Sequence, residues 1–192
     1  VIEALQAFDL ALLRWLTPLH HPWLDRVMVW ASVSGGAGLI WLLLGLVAFT
    51  RPRHRAAAWR VLLTVGLAYA LVDGVIKPLV ARERPSILAS APPRDVPPLP
   101  RTFSFPSGHA ASTFGAAVAV SRMWPQARLV WWIVALLIGY SRIYLAHHYP
   151  LDVGGGALLG IAVAFWVLGG RHGATDGSTL PNPLPHGVVL RP

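Results

Sequence analysis

The chain contains no cysteine, a single lysine and few charges of either sign: of its 192 residues only 12% are Asp, Glu, Lys or Arg. Without cysteine there are no disulfides, no thiolate ligands for zinc or iron–sulfur clusters and no thiol nucleophile. Cysteine-dependent phosphatase chemistry is therefore excluded, and redox usage says nothing about compartment. An average soluble domain carries about 25% charged residues. With 55% hydrophobic residues, this chain has too few polar groups to cover the outside of its own core in water. The composition calls for lipid as part of its solvent.

Acids are scarce as well, eight against sixteen basic residues, for a formal net charge of +8. The basic residues stand singly between apolar runs and form no stripe on a polar surface, so nucleic acid is not an expected partner. Fifteen of the sixteen are Arg, and Lys77 is the one exception. Glu3 and Asp9 occupy the first residues where a secretory signal would carry a basic segment before an apolar run, so no cleavable signal is expected.

What is present is a series of long apolar runs. Val27 to Thr50 is 24 residues without a charge between Arg26 and Arg51, enough to cross a hydrocarbon core of about 30 Å at about 1.5 Å per residue. Gly35, Gly36 and Gly38 inside it favour a kink or a close helix contact. Val153 to Gly170 is a second uncharged run, and Gly154, Gly155, Gly156 and Gly160 within it favour tight helix packing. Ala56 to Ile76, Ala110 to Ser121 and Leu129 to Ser141 are shorter or interrupted, yet flanking Arg side chains can snorkel and let each cross. Ile2, Leu5, Phe8, Leu12 and Trp15 recur every three to four residues, while Glu3, Gln6, Asp9 and Arg14 fill other faces. That pattern predicts an amphipathic helix lying at the interface. The expected fold is all-α: a polytopic membrane helix bundle of five spans, or six if the first helix inserts. The expected domain covers residues 1–171, with an external loop at 85–106 that holds seven prolines, followed by a flexible tail at 172–192.

Arg51, Arg53, Arg55 and Arg60 crowd one connector, Arg122 and Arg128 flank another, and Arg171 follows the last run. With alternating spans these share one face, which the positive-inside rule makes cytoplasmic. Three polar clusters then fall on the opposite, extracytoplasmic face, each at the end of a span: Lys77 to Pro85, Pro106 to His109, and Ser141 to Asp152. Lys77, Arg84 and Arg142 supply cations suited to a phosphoryl group, and Ser107 and Gly108 add a hydroxyl and an approachable N–H where a helix begins. A neutral imidazole can attack phosphorus. His148 and Asp152, four residues apart, can pair on one helical turn, so that the carboxylate fixes the tautomer and stabilises developing positive charge. His109 can protonate a departing alkoxide.

These residues, Lys77-x6-Arg84-Pro85, Pro106-Ser107-Gly108-His109 and Ser141-Arg142-x5-His148-x3-Asp152, resemble in order and spacing the three-part signature of the type 2 phosphatidic acid phosphatase superfamily. The resemblance implies an all-helical membrane phosphatase that needs no metal or other cofactor. It implies that His148 is the nucleophile and forms a phosphohistidine, that Asp152 pairs with it, and that His109 is the acid. Lys77, Arg84, Ser107, Gly108 and Arg142 then bind phosphate oxygens. His147 is set aside on spacing alone. The implied partners are a lipid phosphate substrate and the surrounding membrane lipids, in a multi-pass protein of the cell membrane. Among substrates, polyprenyl (undecaprenyl) diphosphate comes first, with phosphatidylglycerophosphate or phosphatidic acid as alternatives. A head-group binder or transporter without chemistry is the alternative of another class, though capture alone has no use for His148, Asp152 and His109 together. A metal site of those three residues is disfavoured by the three cations beside it, and a serine triad on Ser107 by the lack of a strand-to-helix elbow. Arg82, Arg94 and Arg101 are read as membrane-boundary anchors, His20, His21, His54, His172 and His186 as interfacial or tail residues, and Asp73 as an ion-pair partner that orients Lys77.

Overall fold

The computed structural model describes residues 2–17, 21–85 and 101–169. Most of the proline-rich loop and the tail lie outside the described residues. Among those described there are helices and short turns, with no strand. The helices are α1 (Ile2–Leu16), α2 (Pro22–Ser34), α3 (Leu39–Phe49), α4 (Arg55–Leu71), α5 (Lys77–Val80), α6 (Gly108–Met123), α7 (Arg128–Tyr144) and α8 (Pro150–Gly169).

Pro52–Val80, Pro125–Tyr144 and Pro150–Gly169 are each long and apolar enough to cross a membrane. The run predicted between Val27 and Thr50 is broken as its glycines suggested. The two halves, Pro22–Ser34 and Gly36–Phe49, meet at a bend of 51°. At the bend Ala37 and Gly38 have φ of 48° and 74°, and a β-carbon on Gly38 would sit 2.5 Å from the Val65 side chain. The bend thus needs a residue free of both penalties.

The remaining expected span, α6, is 16 residues long, or about 24 Å, and is not among these candidates. Protein surrounds it: Ala110 to Val120 are all buried, with α8, α4 and α7 packed around them. Small residues let the backbones close. A β-carbon on Gly115 would lie 2.8 Å from the Gly160 carbonyl oxygen, and one on Gly160 or Gly156 would strike the Ala111 or Ser107 carbonyl. Of the predicted packing glycines, Gly156 and Gly160 therefore serve that role directly, Gly155 packs on the Phe105 ring, and Gly154 meets nothing. The contact of Gly156 with Ser107 matters most for the site, because it sets the start of α6 against the first turns of α8.

At the far end of the bundle the His54 ring stands 5.6 Å from the Trp124 ring, so the turn after Arg51–Arg53 and the turn between Arg122 and Arg128 lie together. These two arginine-flanked connectors share one end of the bundle, as the sequence placed them.

The first helix departs from its prediction at one residue. Leu5, Phe8 and Trp15 are 52%, 58% and 74% exposed, as an apolar stripe meant for a membrane interface should be, and Glu3, Gln6 and Arg14 are exposed as well, whereas Asp9 and Leu13 are completely buried. The Asp9 carboxylate faces the bundle.

Candidate active site

The chain reaches the site through a widened helical turn. Pro78 has no N–H to give to the carbonyl four residues back, and its ring crowds that carbonyl. The preceding segment Val72–Ile76 runs as a π turn, a form common at functional sites. On it Asp73 Oδ1 accepts from Lys77 Nζ at 2.6 Å, the i,i+4 ion pair expected from the spacing. Asp73 also explains Gly108, since a β-carbon there would lie 2.9 Å from Asp73 Oδ2.

Ser107 is the N-cap of α6, its hydroxyl accepting from the Ala110 N–H at 3.4 Å. Its own N–H donates to the Asp152 carbonyl at 2.9 Å. The first helical amides, those of Gly108 and His109, have no acceptor within the helix and point out of its positive end.

His148 is 1% exposed, in the turn between α7 and α8. Its Nε2 stands 3.0 Å from Arg84 Nη1 and its Nδ1 3.5 Å from Asp152 Oδ2. A guanidinium only donates, so Nε2 is the acceptor and the ring proton sits on Nδ1, toward the carboxylate. Burial pushes the imidazole pKa well below its usual 6.5, and the cations of Arg142, Arg84 and Lys77 push the same way, with His147 adding to them. The ring is thus neutral near pH 7, with its lone pair toward Arg84.

Arg84 has no carboxylate partner among the described residues. It donates to the carbonyls of Thr102, Phe103 and His147 at 2.8, 3.2 and 2.6 Å, and to Thr102 Oγ1 at 3.0 Å. Arg142 is 3% exposed and donates to the hydroxyl of Ser32, while its Nε has no hydrogen-bond partner. A buried guanidinium without a counter-ion is costly. That buried cation, with the half-buried Arg84 and a neutral imidazole beside it, makes a site suited to an anion.

His109 lies on the first turn of α6 with Nε2 at 3.2 Å from the Ser32 carbonyl oxygen. Since a carbonyl accepts, this nitrogen carries the proton. Ser32 of α2 therefore joins two predicted residues, Arg142 through its hydroxyl and His109 through its carbonyl. His147, set aside on spacing, gives its carbonyl to Arg84 and its N–H to the Arg142 carbonyl at 3.0 Å.

Arg82 corrects the prediction. Read as a boundary anchor, it is a half-buried cation that donates to Asp152 Oδ1 at 2.6 Å and to Asp9 Oδ2 at 2.7 Å. Its guanidinium lies 4.1 Å over the Tyr149 ring. Burial opposes its charge, but Asp152 and Asp9 outweigh that and raise its pKa. Asp152 further accepts from the Ser104 hydroxyl and from the Tyr149 N–H at 2.9 Å. Asp9, Arg82, Ser32 and Ser104 were not singled out as site residues, and no local spacing marks them. Arg101 is exposed, as an anchor should be, and Arg94 lies outside the described residues. Of the histidines given no role, His21 is exposed and His54 stacks near Trp124, while His20, His172 and His186 lie outside the described residues.

Beside these groups runs a groove of about 870 Å³ between α1 and the segment after α5, lined by Leu5, Leu10, Val80, Phe105 and Leu151, with Arg84 on its wall.

The family model for the PAP2 superfamily matches residues 57–175. The chain belongs to the PAP2 superfamily. Among curated relatives, the lipid A 4'-phosphatase of Bacteroides thetaiotaomicron is 30% identical over 83% of this chain and 75% of its own length. The undecaprenyl-diphosphatase of Sulfolobus acidocaldarius is 32% identical over 74% of this chain and 68% of its own. The crystal structure of a PAP2-type phosphatidylglycerolphosphate phosphatase from Bacillus subtilis superposes with a TM-score of 0.71 at 26% identity, over 91% of this chain and 89% of that one. That of Aquifex aeolicus LpxE gives 0.69 at 31% identity, over 83% and 94%. As a PAP2 member with apolar crossings, the chain is a multi-pass membrane lipid phosphatase.

Proposed function

We propose that this PAP2 phosphatase hydrolyses a polyprenyl diphosphate through a phosphohistidine on His148, at the extracytoplasmic face. The observation that carries the mechanism is the pair of guanidiniums without a carboxylate partner among the described residues, the half-buried Arg84 and the buried Arg142, beside the neutral His148 ring. The terminal phosphate of the substrate enters between them. Arg84 Nη1 moves from His148 Nε2 to a phosphate oxygen, and the freed lone pair attacks phosphorus. Lys77, the Ser107 hydroxyl and the Gly108 amide take further oxygens. The bond from phosphorus to the bridging oxygen breaks as N–P forms; His109, which takes up a second proton as the anionic substrate enters, gives one proton to the leaving polyprenyl monophosphate and returns to the neutral ring that the Ser32 carbonyl holds in the resting site. Asp152 closes on the Nδ1 proton as the ring gains charge. Water then attacks phosphorus, passing its proton to His109, and inorganic phosphate leaves. Positioning and charge supply most of the rate in such a transfer.

The groove along α1 supports a long lipid chain, since Leu5, Leu10, Val80, Phe105 and Leu151 line it together with Arg84. Arginine-rich connectors at the other end of the bundle support the orientation. The similarity to the Bacillus subtilis structure favours phosphatidylglycerophosphate as the second reading.

The test is phosphate release by purified protein in detergent from undecaprenyl diphosphate, phosphatidylglycerophosphate and phosphatidic acid, with and without chelator, and with His148→Ala as control. The diphosphate is expected to give the highest kcat/KM, unchanged by chelator. A preference for phosphatidylglycerophosphate replaces the first reading with the second, and binding without release from any lipid overturns both.

A further inference from the structure

Asp9 and Arg82 hold no atom of the proposed reaction, yet they form a buried chain that ends on Asp152. Asp9 is completely buried on a helix that exposes Leu5, Phe8 and Trp15. One of its oxygens accepts from Arg82 at 2.7 Å, and the other accepts from the Leu151 N–H at 3.0 Å, in the first turn of α8. Arg82 then reaches Asp152. A carboxylate placed inward on an interfacial helix is expensive unless its charge is used.

Its use follows from counting charge. A single guanidinium bound to Asp152 would cancel the carboxylate that faces His148. With Asp9 on the other side of Arg82, the three groups together carry one negative charge, and Asp152 keeps a net field toward the imidazole. We infer that Asp9 and Arg82 are positioning residues for the phosphatase reaction: Arg82 fixes the Asp152 carboxylate beside His148, and Asp9 offsets the Arg82 charge so that Asp152 still stabilises the cationic ring of the phosphohistidine. The inference rests on His148 being the nucleophile.

The other charged or titratable groups facing His148 are Lys77 of α5, Arg84 after it, His109 of α6, Arg142 of α7 and the neighbouring His147. Lys77 is paired with Asp73. All of these are common to the variants below, so differences between variants report the Asp9–Arg82–Asp152 cluster.

The experiment measures kcat, KM and the acid limb of kcat/KM for wild type, Asp9→Asn, Arg82→Gln and the double variant, each checked for monodispersity in detergent. Substrate ionisation affects all four alike. Asp9→Asn neutralises the cluster, so kcat falls about tenfold with KM within twofold, and the acid limb moves about half a unit to lower pH. Arg82→Gln leaves two negative charges and moves the limb to higher pH. The double variant restores one negative charge, and its limb returns to the wild-type position. Limbs that stay fixed in both single variants, or move in the same direction, overturn the inference and reduce the pair to scaffolding. If Asp9→Asn does not fold, Arg82→Gln against Arg82→Lys, which keeps the charge and therefore the limb, decides the question alone. An active His148→Ala enzyme would instead remove the reading on which the inference rests, and the two failures are thereby distinct.

Discussion

His148→Ala is expected to lower kcat by at least about 10⁴-fold while substrate still binds, because removing a nucleophile leaves only what positioning and charge can do. The lipid would still meet Arg84, Arg142 and Lys77, so KM or a direct binding constant should change far less than kcat. The neighbouring His147→Ala is the informative contrast. Its carbonyl accepts from Arg84 and its N–H donates to the Arg142 carbonyl, and these backbone groups survive the substitution. That variant should keep activity within about tenfold of wild type. A dead His147→Ala beside an active His148→Ala would exchange the two roles.

The second large effect belongs to Arg84. Its guanidinium touches five acceptors: two carbonyls and a hydroxyl on residues 102 and 103, the His147 carbonyl and His148 Nε2. It therefore ties the chain that re-enters after the proline-rich loop to the nucleophile, besides meeting the phosphate. Arg84→Ala should lower kcat/KM by about 10²- to 10³-fold, the scale of losing a preorganised charge donor. Arg84→Lys should recover only a small part of that, since an ammonium on a flexible stem cannot hold a planar fork of contacts and a phosphate oxygen together. A Lys variant with wild-type kcat/KM would show that charge alone matters at this position. The same steady-state assay reads both substitutions.

The candidate site was legible in the sequence wherever its contacts are local. Asp73 with Lys77 and His148 with Asp152 are each four residues apart, and helical geometry alone brings such residues to one face. The cap at Ser107 and the bend at Gly35–Gly38 are local as well. Contacts made across the bundle left no such mark. Asp9 meets Arg82 from 73 positions away, and Ser32 meets Arg142 from 110. Arg82 was misread for the same reason: a lone arginine at a membrane boundary looks like an anchor until its two carboxylates are seen. The inward turn of Asp9 has the same cause: Glu3, Gln6 and Arg14 of α1 are exposed, and only the distant Arg82 draws this one carboxylate into the bundle.

The central claim is that phosphorus is bonded to His148 during turnover. The direct measurement is to mix the enzyme with undecaprenyl diphosphate carrying a labelled terminal phosphate, quench in alkali, where phosphohistidine survives, and map the label by fragmentation of the peptide that contains both His147 and His148. The account predicts a label on His148 that appears within one turnover, decays as phosphate is released and is missing from the His148→Ala enzyme. Label on His147, or rapid turnover with no phosphohistidine at any time, would contradict it.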